Sequence, residues 1–263
     1  MDRLRADVLL VQRGFCETRA RAAAAVLAGE VLLLPDRQRV RKPGQMLAEQ
    51  TQLELRRPQQ FVSRGGVKLA NALDSLGLGV ADSLALDVGA STGGFTDCLL
   101  QRGARHVTAV DVAYGQLSWK LREDPRVTVV ERCNARTLTP AMLPYAAELI
   151  VIDVSFISLA KVLPAVLGCA APRFDCLAMI KPQFEVGRER IGKGGVVREV
   201  AFRRDAIVGV GRAAVRLGAT VGGFASSGLP GPKGNRETFV WLTEHGRPGA
   251  MVDIESAVME VEP

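Results

Sequence analysis

The sequence is poor in the residues and segments that mark several large protein classes. Its 263 residues include only two histidines and five cysteines, and no two cysteines form a CxxC pair. A zinc site and a disulfide framework are therefore not expected, and free cysteines favour a cytoplasmic protein. No run of 18 apolar residues is present, and residues 1–5 lead into a helical pattern rather than an apolar signal core. The sequence predicts neither a membrane-spanning helix nor a signal peptide.

The basic residues are concentrated at one end of the chain. Residues 1–68 carry the whole net charge of +6, and residues 69–263 contain equal numbers of acidic and basic side chains. The hydrophobic fraction of 48% and the charged fraction of 24% are ordinary for a globular protein. A cationic segment on such a protein favours an acidic partner, with nucleic acid before membrane. On charge alone, a solvated surface without a partner is an equally good interpretation.

The residue pattern divides the chain into a small first domain and a larger second domain. Residues 1–58 predict a helix, a turn, a second helix, and a pair of short strands at 31–34 and 53–55. Thr18 is placed to cap the second helix, and Gly29 to end it. A linker is predicted at 59–63, the second domain at 64–246, and a C-terminal tail or solvated helix at 247–263.

In the second domain, β-rich runs alternate with helical patterns. Five runs are predicted as strands, at 84–88, 107–112, 127–130, 149–154 and 176–180. This alternation is typical of a parallel sheet with helices on both faces. Two further runs, at 219–225 and 238–242, are joined by a Gly- and Pro-rich loop, which favours a closing antiparallel hairpin. The predicted fold class is α/β, a Rossmann-like seven-stranded domain that is mostly parallel, preceded by a small α+β domain.

The first strand of this domain leads into a loop of glycine and other small residues. Ligands of such sheets bind at the carboxyl ends of the strands. Asp111, which ends the next strand about 20 residues later, is placed to bind ribose hydroxyls, and the amide of Asn134 to read an adenine edge. The candidate cofactor residues are Asp87, Gly89, Ala90, Ser91, Thr92, Gly93, Gly94, Phe95, Asp111, Val112, Asn134, Ala135 and Asp153.

The composition of this loop narrows the choice of cofactor. It lacks the GxG that opens the NAD fingerprint, and the chain has no GxxxxGK[ST] phosphate loop. A glycine loop with an acid on the next strand and a final hairpin resembles the pattern of S-adenosylmethionine-dependent methyltransferases. S-adenosylmethionine is therefore the predicted cofactor, and no metal is predicted.

Four charged residues are predicted to meet at the same edge of the sheet. Asp153 and Lys181 end buried strands, Lys68 begins a helix, and Glu237 opens the last strand. A lysine can take the proton of a ribose hydroxyl only if its pKa falls well below about 10.4, and a nearby cation lowers it. We predict Lys181 as this base, Lys68 as its perturber or a substrate contact, and both carboxylates as orienting groups. For each residue taken alone, an ordinary strand-edge charge is the alternative.

Several longer motifs make the chain similar to known families. They are Val62-Ser63-Arg64-Gly65-Gly66-Val67-Lys68-Leu69, Leu86-Asp87-Val88-Gly89-Ala90-Ser91-Thr92-Gly93-Gly94-Phe95-Thr96, Val154-Ser155-Phe156-Ile157-Ser158-Leu159 and Lys181-Pro182-Gln183-Phe184-Glu185-Val186-Gly187. The Lys-Asp-Lys-Glu order resembles FtsJ-like ribose 2′-O-methyltransferases, and residues 3–245 resemble the TlyA, or hemolysin A, family of ribosomal RNA methyltransferases. The first segment resembles the alpha-L RNA-binding motif of a small-subunit ribosomal protein, through Arg5-Ala6-Asp7, Arg13-Gly14, Thr18-Arg19 and Ala28-Gly29-Glu30-Val31.

The resemblance implies cytidine 2′-O-methylation of ribosomal RNA in ribosomal particles, with Lys181 as the base. It implies no membrane partner and no DNA partner. The residues expected to contact RNA are Arg5, Arg19, Arg21, Arg37, Arg39, Arg41, Lys42, Arg64 and Phe156. Three alternatives stay open: a non-catalytic RNA-binding or ribosome-assembly factor, the pore-forming activity that the hemolysin name suggests, and methylation of a base instead of a ribose.

Overall fold

The structure is a computed structural model that describes residues 3–56, 60–249 and 253–263. Its contacts divide the chain into two units, Met1–Gln59 and Gln60–Pro263. The predicted boundary between the first domain and the linker, at residues 58 and 59, lies outside the described residues. In the part of the chain that the structure describes, none of the helices is long and apolar enough to cross a membrane.

The first unit packs two helices against short strands. Thr18 caps the second helix, since its hydroxyl oxygen accepts the N–H of Arg21. Leu9, Leu10 and Val31 are fully buried in the core of this unit. The elements are β1 (Arg3–Arg5), α1 (Ala6–Gln12), α2 (Arg19–Leu27), β2 (Val31–Leu33), β3 (Gln38–Arg39), β4 (Met46–Ala48) and β5 (Leu53–Leu55).

The predicted strand pair is part of a three-stranded sheet in the order β3-β2-β5, in which β2 pairs antiparallel with both neighbours. A second sheet joins β1 to β4. The strands β1, β3 and β4 are not predicted from the sequence, because runs of two or three residues are too short to show an alternating pattern.

The second unit alternates strands and helices along most of its length. Its helices are α3 (Arg64–Leu76), α4 (Gly94–Gln101), α5 (Trp119–Arg122), α6 (Leu163–Leu167), α7 (Pro182–Glu185), α8 (Val200–Arg216) and α9 (Ile254–Val261). Its strands are β6 (Leu84–Val88), β7 (His106–Val110), β8 (Val127–Val130), β9 (Ala147–Ile152), β10 (Ala170–Ile180), β11 (Thr220–Ser226) and β12 (Thr238–Thr243). Short 3-10 turns at Ala135–Thr137 and Leu159–Lys161 follow β8 and β9.

The seven strands form one sheet in the order β11-β12-β10-β9-β6-β7-β8. The pairs among β8, β7, β6, β9 and β10 are parallel, whereas β12 pairs antiparallel with both β10 and β11. The predicted α/β fold class with its closing hairpin is therefore confirmed. Because the parallel strands run the same way, the carboxyl ends of β6, β7, β9 and β10 meet at one edge, where ligands of such sheets bind.

The C-terminal segment is a packed part of the second unit. Helix α9 contacts α8 and β11, and Val258 on it is buried against the main core. Glu262, which follows the helix, is also buried and forms an ion pair with Arg203 of α8. The predicted helix is present, but the prediction that it is solvated is wrong, because its apolar face covers the edge of the sheet.

Candidate active site

A cavity of about 480 Å³ opens at the carboxyl edge of the sheet. Its walls come from the ends of β6, β7 and β9 and from the loops that follow β6 to β9. Two carboxylates, Asp111 and Asp153, lie in these walls, and none of the lining residues, all of them described, is a lysine, arginine or histidine. A cavity with acidic walls and no cation suits a positively charged ligand and does not suit a dinucleotide with its phosphates.

The predicted cofactor residues divide into those that line this cavity and those that do not. Gly89, Ser91, Asp111, Val112, Asn134, Ala135 and Asp153 line it. Asp87, Thr92, Gly93, Gly94 and Phe95 do not, and Ala90 lies in the wall of a small adjoining pocket. Phe95 is buried and its ring lies 5.8 Å from that of Phe239, so its side chain is part of the core.

The glycines of the loop are required by protein packing as much as by a ligand. A Cβ at Gly89 would lie 2.5 Å from the carbonyl oxygen of Asp153 on the neighbouring strand. A Cβ at Gly94 would lie 2.1 Å from the hydroxyl of Ser63, where α3 begins. These contacts give the two glycines a structural reason besides the close approach of a ligand.

Asp87 is a buried carboxyl group at the end of β6. Its Oδ2 accepts the backbone N–H and the hydroxyl of Thr96, at 2.9 and 2.7 Å. Its Oδ1 is buried without a hydrogen-bond partner in the described structure. Burial raises the pKa of Asp87 to about 7, and the negative charge of Asp153 acts in the same direction. Asp87 thus ties the end of β6 to α4 and does not line the cavity.

Asp111 is the acidic group best placed to hold a ligand. Its two oxygens accept the backbone N–H groups of Ser91 and Ala113, each at 2.7 Å. These bonds fix the carboxylate at the cavity wall, and each oxygen retains a lone pair for a ligand hydroxyl. Asn134 uses its side-chain oxygen to accept the N–H of Arg136, which leaves its NH₂ group to donate to a ligand.

We predict that replacing Asp111 weakens cofactor binding strongly. The Asp111→Ala variant loses hydrogen bonds to a charged acceptor, each worth about 1.5–3 kcal/mol, and the dissociation constant of S-adenosylmethionine should rise about 10- to 100-fold. Asp111→Asn keeps one acceptor oxygen and should lose less affinity for S-adenosylmethionine. Titration calorimetry measures both. The control is Asp124→Asn, because that carboxylate pairs with Arg126 outside the cavity. Equal affinity in Asp111→Ala and wild type would exclude Asp111 from the site.

The four predicted catalytic residues form two ion pairs. The ammonium group of Lys181 lies 2.5 Å from Oδ1 of Asp153, and Lys68 is paired with Glu237. The contact to Asp153 lacks hydrogen-bond alignment, and Lys181 instead donates to the hydroxyl of Ser155 at 2.9 Å. Both lysines and Glu237 are buried. Each of the two buried ammonium groups is paired with a carboxylate of its own.

Strand pairing brings the two ion pairs to adjacent positions. Ile180 of β10 is paired with Thr238 of β12, and Lys181 and Glu237 are the next residues beyond this pair. Lys68 reaches Glu237 from α3, which begins at Arg64. The prediction that Lys68 begins the helix is therefore wrong by one turn. One helical turn therefore precedes Lys68, and the side chain of Lys68 is buried.

Beyond β9, the loop at 153–158 presents an aromatic ring to solvent. Phe156 is 91% exposed and has φ +65, a conformation that costs a bulky residue about 1–3 kcal/mol. It lines both the cavity and an adjoining open groove, which also includes Arg136, Lys161 and Arg188.

Arg64, another predicted RNA contact, donates a hydrogen bond to the carbonyl oxygen of Pro230 at 2.7 Å and caps no helix.

The predicted RNA contacts of the first unit are not equally available. Arg5 and Arg19 pair with the buried Asp7, and the hydrogen bond from Arg5 lowers the pKa of that carboxyl to about 2. Arg21 pairs with Glu17 and Arg37 with Glu54. In the described structure, the exposed Arg39, Arg41 and Lys42 form no ion pair. Arg19 and Arg21 therefore each have a carboxylate partner within the first unit, and their contact with RNA stays a prediction.

Comparison with known proteins places these features in a family. The sequence profile of FtsJ-like methyltransferases matches residues 61–244, which include all four charged residues of the two ion pairs. The chain belongs to the FtsJ-like methyltransferase family. A TlyA 16S/23S rRNA (cytidine-2′-O)-methyltransferase of Mycobacterium tuberculosis is 46% identical to it over 97% of this chain and 96% of that protein.

Solved structures agree with the fold. A Streptococcus thermophilus chain described as a hemolysin has a TM-score of 0.74 and 40% identity, over 99% of this chain and 96% of that one. An S-adenosylmethionine dependent methyltransferase of Mesorhizobium loti shares the fold at 14% identity, with a TM-score of 0.52 over 69% of this chain and all of that one.

This FtsJ-like protein is an enzyme whose cofactor is S-adenosylmethionine. The cavity fits that group, because its acidic walls suit a sulfonium cation and Asp111 suits ribose hydroxyls. Apolar walls from Val112, Ile157 and Val162 suit an adenine ring. No group of three or more metal-binding side chains occurs in the described parts of the chain.

Two side chains of this edge are missing from the sequence-based site. Ser155 accepts a hydrogen bond from Lys181, and Glu185 accepts two from the far end of the loop that carries Phe156. Both residues lie inside the sequence motifs that carry the family resemblance, and these motifs were the signal from which they could have been predicted. Their contacts join positions 26 and 27 residues apart, and no local pattern predicts such pairs.

Proposed function

We propose that this chain transfers the methyl group of S-adenosylmethionine to the ribose 2′-hydroxyl of cytidine in ribosomal RNA. The observation that carries the proposal is the arrangement of two lysine–carboxylate pairs, with both lysines buried, beside a cavity for S-adenosylmethionine. The 46%-identical relative, a 16S/23S rRNA (cytidine-2′-O)-methyltransferase, supports the choice of substrate. Ribosomal RNA as substrate also supports a cytoplasmic site of action.

In this proposal Lys181 is the general base. A neutral Lys181 accepts the proton of the 2′-hydroxyl, and Asp153 stabilises the ammonium that forms. Ser155, which accepts a hydrogen bond from Lys181, fixes the direction of the amine. The Lys68–Glu237 pair holds a second cation near the developing alkoxide without adding net charge. Bound S-adenosylmethionine supplies the electrophilic methyl group.

We propose that the two units divide the work of RNA binding. Arg39, Arg41 and Lys42 of the first unit present unpaired positive charge to phosphates, which suits recognition of RNA by backbone and shape. In the second unit, Phe156 offers an exposed ring beside the cavity, where a base turned out of its helix could stack. Arg64 lies in this unit as a further phosphate contact.

The test is methyl transfer from labelled S-adenosylmethionine to ribosomal subunits that lack the modification, followed by alkaline hydrolysis. Alkali cleaves RNA through the 2′-hydroxyl, so a 2′-O-methyl group leaves an alkali-resistant labelled dinucleotide. That product with cytidine at its 5′ position is the expected result. Label released as a methylated base would instead support base methylation. An absence of label from protein that binds the cofactor would favour the non-catalytic alternative.

We predict that the unpaired cations of the first unit determine the salt dependence of RNA binding. Each phosphate contact contributes about 0.7–0.9 to the slope of log K against log salt concentration. The double variant Arg41→Ala, Lys42→Ala should therefore lower the slope by about 1.5. Filter binding at several salt concentrations measures it. Arg13→Ala is the matched control, because Arg13 is not a predicted RNA contact and its guanidinium donates to the carbonyl oxygens of Glu49 and Thr51. Equal slopes in wild type and double variant would contradict these phosphate contacts.

A further inference from the structure

Two charged residues, one directly before helix α7 and one at its end, contact the same loop. Lys181 directly precedes α7, and Glu185 is its last residue. The loop at 153–158 follows β9. Lys181 contacts the beginning of this loop at Asp153 and Ser155. Glu185 contacts its end, so a single helical turn holds the loop at both ends.

Both oxygens of Glu185 are used in this contact. The hydroxyl of Ser158 donates to Oε2 at 2.6 Å, and the backbone N–H of Leu159 donates to Oε1 at 2.8 Å. Burial raises the pKa of Glu185, and the two hydrogen bonds oppose that shift. A mostly buried carboxylate is costly unless its oxygens are bonded, and here both bonds go to the loop.

Between the two anchors the loop adopts a conformation that a phenylalanine rarely takes. Phe156 has φ +65 in the left-handed region, and its side chain is exposed to solvent. Its ring lies 5.2 Å from that of Phe184, which is itself part of α7. The segment from Lys181 to Glu185 therefore supplies an ionic anchor, an aromatic neighbour and a carboxylate anchor to the same loop.

We propose that Glu185 is a positioning residue for methyl transfer. By holding Ser158 and Leu159 it fixes the left-handed turn at Phe156, so that the ring meets the substrate nucleotide and Ser155 stays within reach of Lys181. This inference rests on the proposed function, because it assigns Phe156 to the RNA. Glu185 itself contacts neither the cofactor cavity nor the reacting atoms.

The test compares Glu185→Ala with Glu185→Gln in methyl transfer to ribosomal subunits. Loss of both hydrogen bonds should lower kcat/KM for RNA about 10- to 100-fold, while the dissociation constant of S-adenosylmethionine changes less than about twofold. Glutamine should restore most activity, because its oxygen accepts the Leu159 N–H and its NH₂ group donates to the Ser158 hydroxyl. Glu189→Ala, an exposed glutamate four residues further on, is the matched control.

A double-mutant cycle separates positioning from general stability. If Glu185 acts by placing Phe156, then Glu185→Ala adds little to the loss already caused by Phe156→Ala. The proposal would be overturned if the two substitutions lowered activity independently, so that their fold-losses multiplied in the double variant. It would also be overturned if Glu185→Ala lowered the affinity for S-adenosylmethionine in parallel with activity. Should Glu185→Ala fail to fold, Ser158→Ala removes one of the two bonds and keeps the cycle measurable.

Hydrogen exchange provides a measurement that does not require catalysis. In Glu185→Ala, amides at 154–158 should exchange faster than in wild type, and Glu185→Gln should restore protection. Unchanged exchange would overturn the proposal even if activity fell. Absence of methylation by wild type would instead contradict the proposed function, and the exchange result would still decide whether Glu185 holds the loop.

Discussion

Lys181→Ala is expected to lower the rate of methyl transfer to RNA by about 10²–10⁴-fold, the range that general base catalysis supplies. The variant removes the amine that is proposed to accept the proton, and Asp153 is left beside the site without its cation. Cofactor affinity should change little, because Lys181 is absent from the residues that line the cavity. Single-turnover rates on ribosomal subunits measure the effect with binding kept at saturation.

Lys181→Arg distinguishes a base from a fixed cation. An arginine can pair with Asp153, but its guanidinium does not lose a proton in proteins. If Lys181 is the base, the arginine variant should be as inactive as the alanine variant. A methyl-transfer rate of Lys181→Arg within about tenfold of the wild-type rate would show that positive charge alone is needed at this position. Lys120→Ala is the matched control, because this exposed lysine pairs with Asp97 outside the site.

The sheet edge could be predicted because its parts follow simple rules. Strands β6 and β8 lie at the predicted positions 84–88 and 127–130, since the strands of a parallel sheet are nearly continuous apolar runs. Polar residues that end such runs meet at one edge whatever their separation in sequence. Lys68 and Glu237 are 169 residues apart, and the topology nevertheless predicts their contact.

The remaining features depend on contacts that no local pattern reveals. Glu199 at the start of α8 makes no capping hydrogen bond through its side chain, so the longest helix of the chain has no clear sequence signal at its beginning. The ion pair of Arg19 with Asp7 joins two elements of the first unit. Residues 7 and 19 belong to different helices, so no pattern within one helix predicts this pair.

The buried pair between Arg203 and Glu262 is expected to dominate the stability of the second unit. The guanidinium of Arg203 donates to Oε1 of Glu262 at 3.0 and 2.7 Å and also to the carbonyl oxygens of Val197 and Arg198. Glu262→Ala leaves a buried cation without its carboxylate. Breaking such a pair costs about 3–5 kcal/mol in the free energy of unfolding.

The control for this prediction lies on the same terminal helix. Glu255 pairs with Arg212, but both side chains are more than half exposed, so Glu255→Ala should cost less than about 1 kcal/mol. Urea unfolding followed by tryptophan fluorescence measures both variants, since the two tryptophans, Trp119 and Trp241, both lie in the second unit. Similar midpoints for the two variants would mean that the end of the chain is not held by Arg203. A large shift for Glu262→Ala alone would show that the end of the chain is required for the stability of the second unit. Arg236, which precedes Glu237, also donates to Glu262 and links this pair to the candidate active site.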